Sequence, residues 1–228
     1  MERRRAALST SRTEAFSDGV FAIAATLLVL ELKVPHVEPG GLPGALLERW
    51  PSYATYVVSF FTIGIIWVNH HAVMERIRKA NRPLLFLNLV FLMAVAAIPF
   101  PTALLADYLQ AGHDERLAAA VYGVAMAVMG IAFGIIWAYA VFSGDLLHEE
   151  IDPNRARRSL LIFAAGNPLY LLAIGASLLS AELALGIYAL LAFFYLFDVL
   201  PPLGERGGKK TPTSTQSVGQ TESQSRRA

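Results

Sequence analysis

One carboxylate in this sequence occupies a position where charge is costly. Asp18 lies within an otherwise uncharged, largely apolar segment, and a charged residue inside a membrane helix costs about 2.5 to 3.5 kcal/mol on insertion scales. Such a carboxylate needs a hydrogen-bond partner, an aqueous cavity or a function. Suitable indole, amide and imidazole donors follow a second apolar run, at Trp67, Asn69, His70 and His71. A second interpretation is that Asp18 and His70 relay protons, since intramembrane ionisable groups mark such routes.

Residue types and spacing argue against several other chemistries. The sequence has no cysteine, which excludes disulfides, thiolate metal sites and cysteine nucleophiles. His70 and His71 point about 100° apart on a helix, so we do not expect them to bind one metal ion together. The Glu149-Glu150 pair is similar to an intramembrane protease motif, but Pro153 is expected to break the helix that such a site needs. We therefore expect no enzyme activity, no metal and no cofactor.

The elements that position these groups are long apolar helices. Hydrophobic residues make up 55% of the 228 residues and charged residues only 16%, against about 25% charged in soluble proteins. Four uncharged blocks each reach the roughly 18 residues typical of a membrane span, and two shorter apolar segments flank them. The sequence predicts an all-α, polytopic membrane protein with six transmembrane helices, at about 15–34, 51–75, 83–108, 117–144, 159–180 and 183–200. Gly130 and Gly134 form a GxxxG pair, which is typical of close helix packing.

The loop charges give these helices an orientation. With six spans, sixteen of the nineteen Lys and Arg residues fall on one side of the membrane, and only Lys33, Arg49 and Arg116 fall on the other. Cytoplasmic loops carry the excess of Lys and Arg, so both termini are predicted to be cytoplasmic. This asymmetry requires the short first segment to span, which disfavours a signal peptide. Residues 1–203 are expected to form one domain, and the polar tail 204–228 to be disordered.

The first helix has two different faces. At about 100° per residue, Ile23, Leu27 and Leu30 lie on one stripe with Thr26 beside it, and Asp18 lies roughly 140° from Ile23. From the residues alone, such a stripe faces lipid or packs against protein. The net charge of +1 gives no indication of a nucleic acid partner.

The segment Arg12–Glu31, with its Arg-x-x-x-Phe-Ser-Asp pattern ending at Asp18, resembles the first helix of the transmembrane protein 175 family of potassium channels. The segment Trp67–His71 resembles the second helix of that family. The six predicted spans extend the resemblance over nearly the whole chain. The single copy of the pattern is similar to the prokaryotic members, which carry one six-helix unit per chain.

The resemblance implies a homotetramer in which the first helix lines a central pore. It implies that Ile23 forms a narrow apolar constriction, that Leu27 and Leu30 form further apolar rings, and that Thr26 provides a hydroxyl layer for ion selectivity. It also implies a polar network that holds the pore helix, comprising Arg12, Phe16, Ser17, Asp18, Trp67, Asn69, His70 and His71.

The function expected from this resemblance is a leak-type potassium channel of modest selectivity in the prokaryotic cell membrane. Four Ile23 side chains would close the path by narrowing and dewetting, and four Thr26 hydroxyls would replace part of the hydration shell of potassium. Potassium ions, the bilayer and three further copies of the chain are the expected partners. The alternative is a proton-coupled secondary transporter that uses Asp18 and His70.

Overall fold

The computed structural model describes residues 10–195, apart from the side chains of Ile162, Phe163, Ala165, Phe194 and Tyr195. The described chain is almost entirely helical, which confirms the predicted all-α class. A 3-10 turn, Leu28–Glu31, continues the first helix. The α-helices are α1 Thr10–Leu27, α2 Leu42–Glu48, α3 Trp50–Glu75, α4 Arg82–Ala96, α5 Pro99–Ala111, α6 Glu115–Phe142, α7 Pro153–Ser177 and α8 Ala181–Tyr195. The predicted tail 204–228 lies outside the described residues.

Five segments are long and apolar enough to cross a membrane: α1 with its 3-10 turn, α3, the α4–α5 pair, α6 and α7. They correspond to the first five predicted spans, and the chain is a multi-pass membrane protein. The described part of α8 has 15 residues. At 1.5 Å per residue it covers about 22 Å, less than the roughly 30 Å of the hydrocarbon core. The predicted sixth span continues to residue 200, beyond the described residues. The short helix α2 was not predicted.

Prolines set two helix boundaries that differ from the prediction. The third predicted span, 83–108, is divided into α4 and α5, because Pro99 and Pro101 have no N–H for the preceding turn. Helix α7 begins at Pro153, well before the predicted residue 159. The Asp152 carboxylate accepts a hydrogen bond of 2.9 Å from the backbone N–H of Asn154 and caps this helix. Proline is well suited to a first helical position. Glu149 and Glu150 lie in a turn before α7, which confirms the prediction that Pro153 interrupts the helix that a protease-type site would need.

Helix α1 lies against α3 and α4, and aromatic rings fill the space between them. The ring centroids of Phe21 and Phe91 are 5.9 Å apart, those of His70 and Phe91 are 5.5 Å apart, and those of Phe91 and Phe133 are 5.3 Å apart. Phe91 is fully buried. This cluster joins α1, α3, α4 and α6 into one core, and separations of this size are typical of favourable aromatic pairs.

Among the three glycines of α6, the one packed most closely against neighbouring helices lies outside the GxxxG pair. A Cβ atom added at Gly123 would lie 2.2 Å from the Tyr188 hydroxyl and 2.6 Å from Ile174 Cγ1, whereas one added at Gly134 would have nothing within 4 Å. The Tyr188 hydroxyl donates a hydrogen bond of 3.0 Å to the Ala119 carbonyl. The expectation of close packing is therefore wrong at Gly134, and Gly123 has that role.

Two loops pair with each other at one end of the helices. Ile77 after α3 and Leu147 after α6 form an antiparallel β-bridge. The Lys79 ammonium lies 2.6 Å from the Asp145 carboxylate, and Arg78 lies 3.1 Å from Glu149. The hydrogen bond and charge of Lys79 lower the pKa of Asp145. The bridge and the ion pairs connect the α3–α4 loop to the α6–α7 loop.

Candidate functional site

The two faces of α1 differ in burial. Ser17, Phe21, Ala24 and Leu28 are buried against the rest of the subunit. The opposite stripe is exposed: Ile23 has 61% of its surface accessible and Leu30 has 69%. Because the buried positions recur every three or four residues, they lie on one side of the helix. The rotation of α1 about its axis is thereby fixed within the subunit.

A chain of buried hydrogen bonds supports the inward face. The Ser17 hydroxyl donates to the Thr13 carbonyl at 2.8 Å, so it accepts from the Asn88 amide nitrogen at 3.0 Å. The Asn88 amide oxygen then faces His70 Nε2 at 2.8 Å. Since an amide oxygen only accepts, His70 carries its hydrogen on Nε2. The donors and acceptors of this chain are therefore matched, and they connect α1 to α3 through α4.

Asn88 belongs to this series of hydrogen bonds, and its role was not predicted from the sequence. It is buried in α4 and bridges two predicted site residues, Ser17 and His70. The sequence contains the same indication as for Asp18, namely a polar side chain in an apolar segment. Asn88 is the one amide side chain in the uncharged block 83–106. A buried amide inside a membrane helix requires partners.

Asp18 has a separate partner. The Trp67 indole N–H donates to its carboxylate at 2.8 Å, so the indole is the donor among the three kinds that the sequence left open. His71 stacks on the Trp67 ring with centroids 6.4 Å apart and lies 3.4 Å from the Glu75 carboxylate. All four side chains are exposed in the single subunit. This group therefore lies at the surface of the subunit and is separate from the buried Ser17–Asn88–His70 hydrogen bonds.

The remaining residues of the predicted polar network take part neither in the Ser17–Asn88–His70 hydrogen bonds nor in the group around Asp18. Asn69 is half-buried and faces α6 and α7. Arg12 and Phe16 are exposed, and within residues 10–195 the Arg12 side chain forms no hydrogen bond or ion pair. In the same range, no three His, Asp or Glu side chains lie close enough together to hold a metal ion. The roles of Arg12, Phe16 and Asn69 stay predictions.

Thr26 lies on the exposed stripe in a defined orientation. Its hydroxyl is 3.0 Å from the Ala22 carbonyl and 2.9 Å from the Ile23 carbonyl. The hydroxyl hydrogen therefore points to the backbone of its own helix, which leaves the oxygen lone pairs free for a donor or a cation. The roles of Ile23, Thr26, Leu27 and Leu30 as pore residues stay predictions.

Two contacts hold the other end of α1. Lys33, which follows the 3-10 turn, forms an ion pair of 3.0 Å with Asp107 in α5. The Arg49 guanidinium donates to the Lys33 carbonyl at 2.9 Å. Both ends of the first span are thus attached to the rest of the subunit.

Comparison with known proteins gives the family. Residues 12–99 match the model of the family described as the endosomal/lysosomal potassium channel TMEM175. A potassium channel of Streptomyces collinus is 49% identical over 193 residues, which cover 84% of this chain and 94% of that protein. The chain belongs to the TMEM175 family. This confirms the resemblance found at the Arg-x-x-x-Phe-Ser-Asp segment.

Other TMEM175 members extend the comparison to structure and to animals. The solved structure of a lysosomal potassium-selective channel TMEM175 homolog from Chamaesiphon minutus has a TM-score of 0.74 and 39% identity, covering 82% of this chain and 96% of that chain. Human TMEM175, named an endosomal/lysosomal proton channel, is 32% identical over 202 residues, which cover 39% of its length. The relatives are channels, which points to a TMEM175 protein without a catalytic role.

Proposed function

We propose that this TMEM175 protein is the subunit of a leak-type potassium channel of modest selectivity in the cell membrane, with both termini in the cytoplasm. The observation that carries the proposal is the orientation of α1, which buries its polar Ser17 face and exposes Ile23 and Thr26. Of the five membrane-spanning segments, the one containing α1 has the smallest buried share, 22% of its apolar window. Membership of a family whose bacterial relatives are potassium channels supports the same conclusion.

The proposed path is formed by four copies of α1. Ile23 closes it at the narrowest level, where a ring of branched apolar side chains both narrows the path and excludes water. Leu27 and Leu30 extend the apolar lining. Opening then requires a small rotation or outward movement of α1, and the Ser17–Asn88–His70 chain resists that movement because its hydrogen bonds depend on the position of the helix.

Thr26 provides the ion ligand in this mechanism. Its hydrogen is directed to the backbone, so four outward oxygens accept a cation in place of part of its water shell. Potassium is less strongly hydrated than sodium, and a site with few neutral oxygens therefore favours potassium. The preference is modest because four hydroxyls replace less of the shell than stacked rings of carbonyls.

The transporter alternative has weaker support. It requires Asp18 and His70 to exchange protons, but Asp18 accepts from Trp67 and His70 is bonded to Asn88. Within residues 10–195 no hydrogen bond joins Asp18 to His70. A channel conducts down a potassium gradient without a coupled proton gradient, whereas a coupled carrier does not.

The natural absence of cysteine allows a direct test of the proposed path. Single Ile23→Cys and Thr26→Cys variants in vesicles are treated with a cationic, water-soluble thiol reagent, and potassium flux is followed. Modification is expected to reduce flux in both variants. His113→Cys is the control, because His113 is exposed in the loop between α5 and α6 and does not lie on the α1 stripe. Full modification at Ile23 and Thr26 with unchanged flux would contradict the path.

Assembly and orientation have separate tests. Native mass spectrometry of the purified protein is expected to give a tetramer, and a dimer would overturn the ring of four Ile23 side chains.

For orientation, an impermeant maleimide on intact cells is expected to label His113→Cys and to spare Arg157→Cys, both positions being exposed. The reverse labelling would overturn the cytoplasmic termini.

A further inference from the structure

A cavity of about 70 Å³ lies between α3, α6, α7 and α8. Thr62, Met129 and Gly166 line it, and each lies near the middle of its helix. The cavity is therefore at the depth of the membrane interior. Its volume is several times the roughly 10 to 15 Å³ needed for one water molecule.

Two amide side chains line this cavity and have no hydrogen-bond partner among the described residues. Asn69 from α3 and Asn167 from α7 are half-buried. Neither side chain forms a hydrogen bond with another residue in the described range 10–195. The buried Asn88 amide, in contrast, uses both its nitrogen and its oxygen. Amides in the membrane interior without a partner are costly, so Asn69 and Asn167 favour an occupant that can hydrogen-bond.

The other lining residues restrict the chemistry of that occupant. Most are apolar or aromatic, among them Ile65, Met126 and Phe133, and among the described residues no Asp, Glu, Lys, Arg or His contributes to the lining. A charged ligand would have no counter-charge in the cavity. A pure hydrocarbon would leave both amides unmatched. We propose that the cavity is a binding site for a small uncharged amphiphile, with a hydroxyl or amide group between Asn69 and Asn167 and a short apolar chain against Met126 and Phe133.

Gly130 gives a way to narrow the cavity by one methyl group. A Cβ atom at Gly130, which lines the cavity, would lie 3.1 Å from Asn167 Oδ1. At Gly134, one helical turn further along α6, a Cβ atom would meet nothing within 4 Å. Gly130→Ala is therefore expected to narrow the site and to displace the Asn167 amide. Gly134→Ala is the matched control, with the same change on the same helix.

The test uses a four-carbon primary alcohol that carries a photoreactive diazirine. The full-length protein in lipid vesicles is irradiated with this probe, and the labelled residues are identified by peptide mass spectrometry. Labelling is expected on the α6 and α7 segments that line the cavity. Excess 1-butanol is expected to suppress this labelling, and pentane, of equal heavy-atom count, to be a weaker competitor. Equal competition by pentane overturns the role of the amides, and labelling spread evenly over the lipid-facing residues overturns the site.

The variants then test the individual contacts. Asn167→Leu is expected to lower labelling about fivefold, as for the loss of one neutral hydrogen bond. Gly130→Ala is expected to lower it as well, and Gly134→Ala to leave it at the wild-type level. Wild-type labelling in both Asn167→Leu and Gly130→Ala would contradict the proposal. If a variant does not fold, the competition between 1-butanol and pentane on the wild-type protein decides alone.

Discussion

The polar side chains on the two faces of α1 differ in their hydrogen-bond partners. On the buried face, Ser17 forms part of a closed chain of hydrogen bonds that reaches His70 in α3. On the exposed stripe, Thr26 bonds only to its own helix and leaves its lone pairs free. The buried face determines how α1 is rotated, and it thereby leaves the opposite stripe exposed on the subunit, where the proposed channel places its ion path. Substitutions on the two faces should therefore have different consequences.

The largest effect is expected from Asn88→Leu on the buried side. This near-isosteric change leaves the Ser17 hydroxyl and the His70 imidazole without their shared partner, at a cost of about 3 kcal/mol for two buried groups. The measurement is the apparent melting temperature of the purified protein, followed by size-exclusion chromatography after heating. The exposed neighbour Leu89 provides the control Leu89→Ala. A melting temperature equal to that of the control would show that the buried chain contributes little.

Ile23→Ala tests the exposed stripe. We expect a several-fold increase in potassium flux and weaker discrimination against sodium, because a smaller side chain widens and wets the proposed constriction. Since Ile23 is exposed in the subunit, the melting temperature should change little. Reversal potentials and currents in planar bilayers measure both properties. Unchanged flux, or a loss of stability as large as that of Asn88→Leu, would remove the contrast between the faces.

Substitutions of Thr26 test the hydroxyl separately from the shape of the side chain. Thr26→Val keeps the branched shape and removes the oxygen, so the potassium-to-sodium permeability ratio is expected to fall by a few-fold. Thr26→Ser keeps the oxygen and is the matched control, with a ratio close to that of the wild type. Reversal potentials under bi-ionic conditions give both ratios. Equal ratios in Val and Ser variants would show that the hydroxyl does not select the ion.

The smallest effect is expected from Asp18→Asn, because its hydrogen bond to Trp67 lies at the subunit surface. Exchanging a charged acceptor for a neutral one should cost about 1 kcal/mol and lower the yield of assembled protein. Trp67→Phe removes the donor of the same hydrogen bond, so adding Asp18→Asn to Trp67→Phe should cause no further loss. A fully assembled Asp18→Asn protein with altered conduction or proton sensitivity would contradict this structural role.

Much of the fold can be predicted from composition and charge order. Uncharged blocks longer than a bilayer needs can only be membrane spans or buried helices, and the loop charges require the first short segment to span as well. Helix ends are harder to predict, because the effect of a proline depends on its position. Pro153 begins α7 beside the Asp152 cap, whereas Pro99 and Pro101 divide a predicted span.

The sequence by itself determined the apolar spans, the two faces of α1 and the family pattern ending at Asp18. These features depend on residue type and on spacing along one helix, which the sequence contains directly. Only the tertiary structure decided that Asn88 joins Ser17 to His70, that Trp67 is the partner of Asp18, and that Asn69 and Asn167 line one cavity. These pairs come from different helices, and which residues meet depends on how each helix is rotated and how closely it packs, as at Gly123.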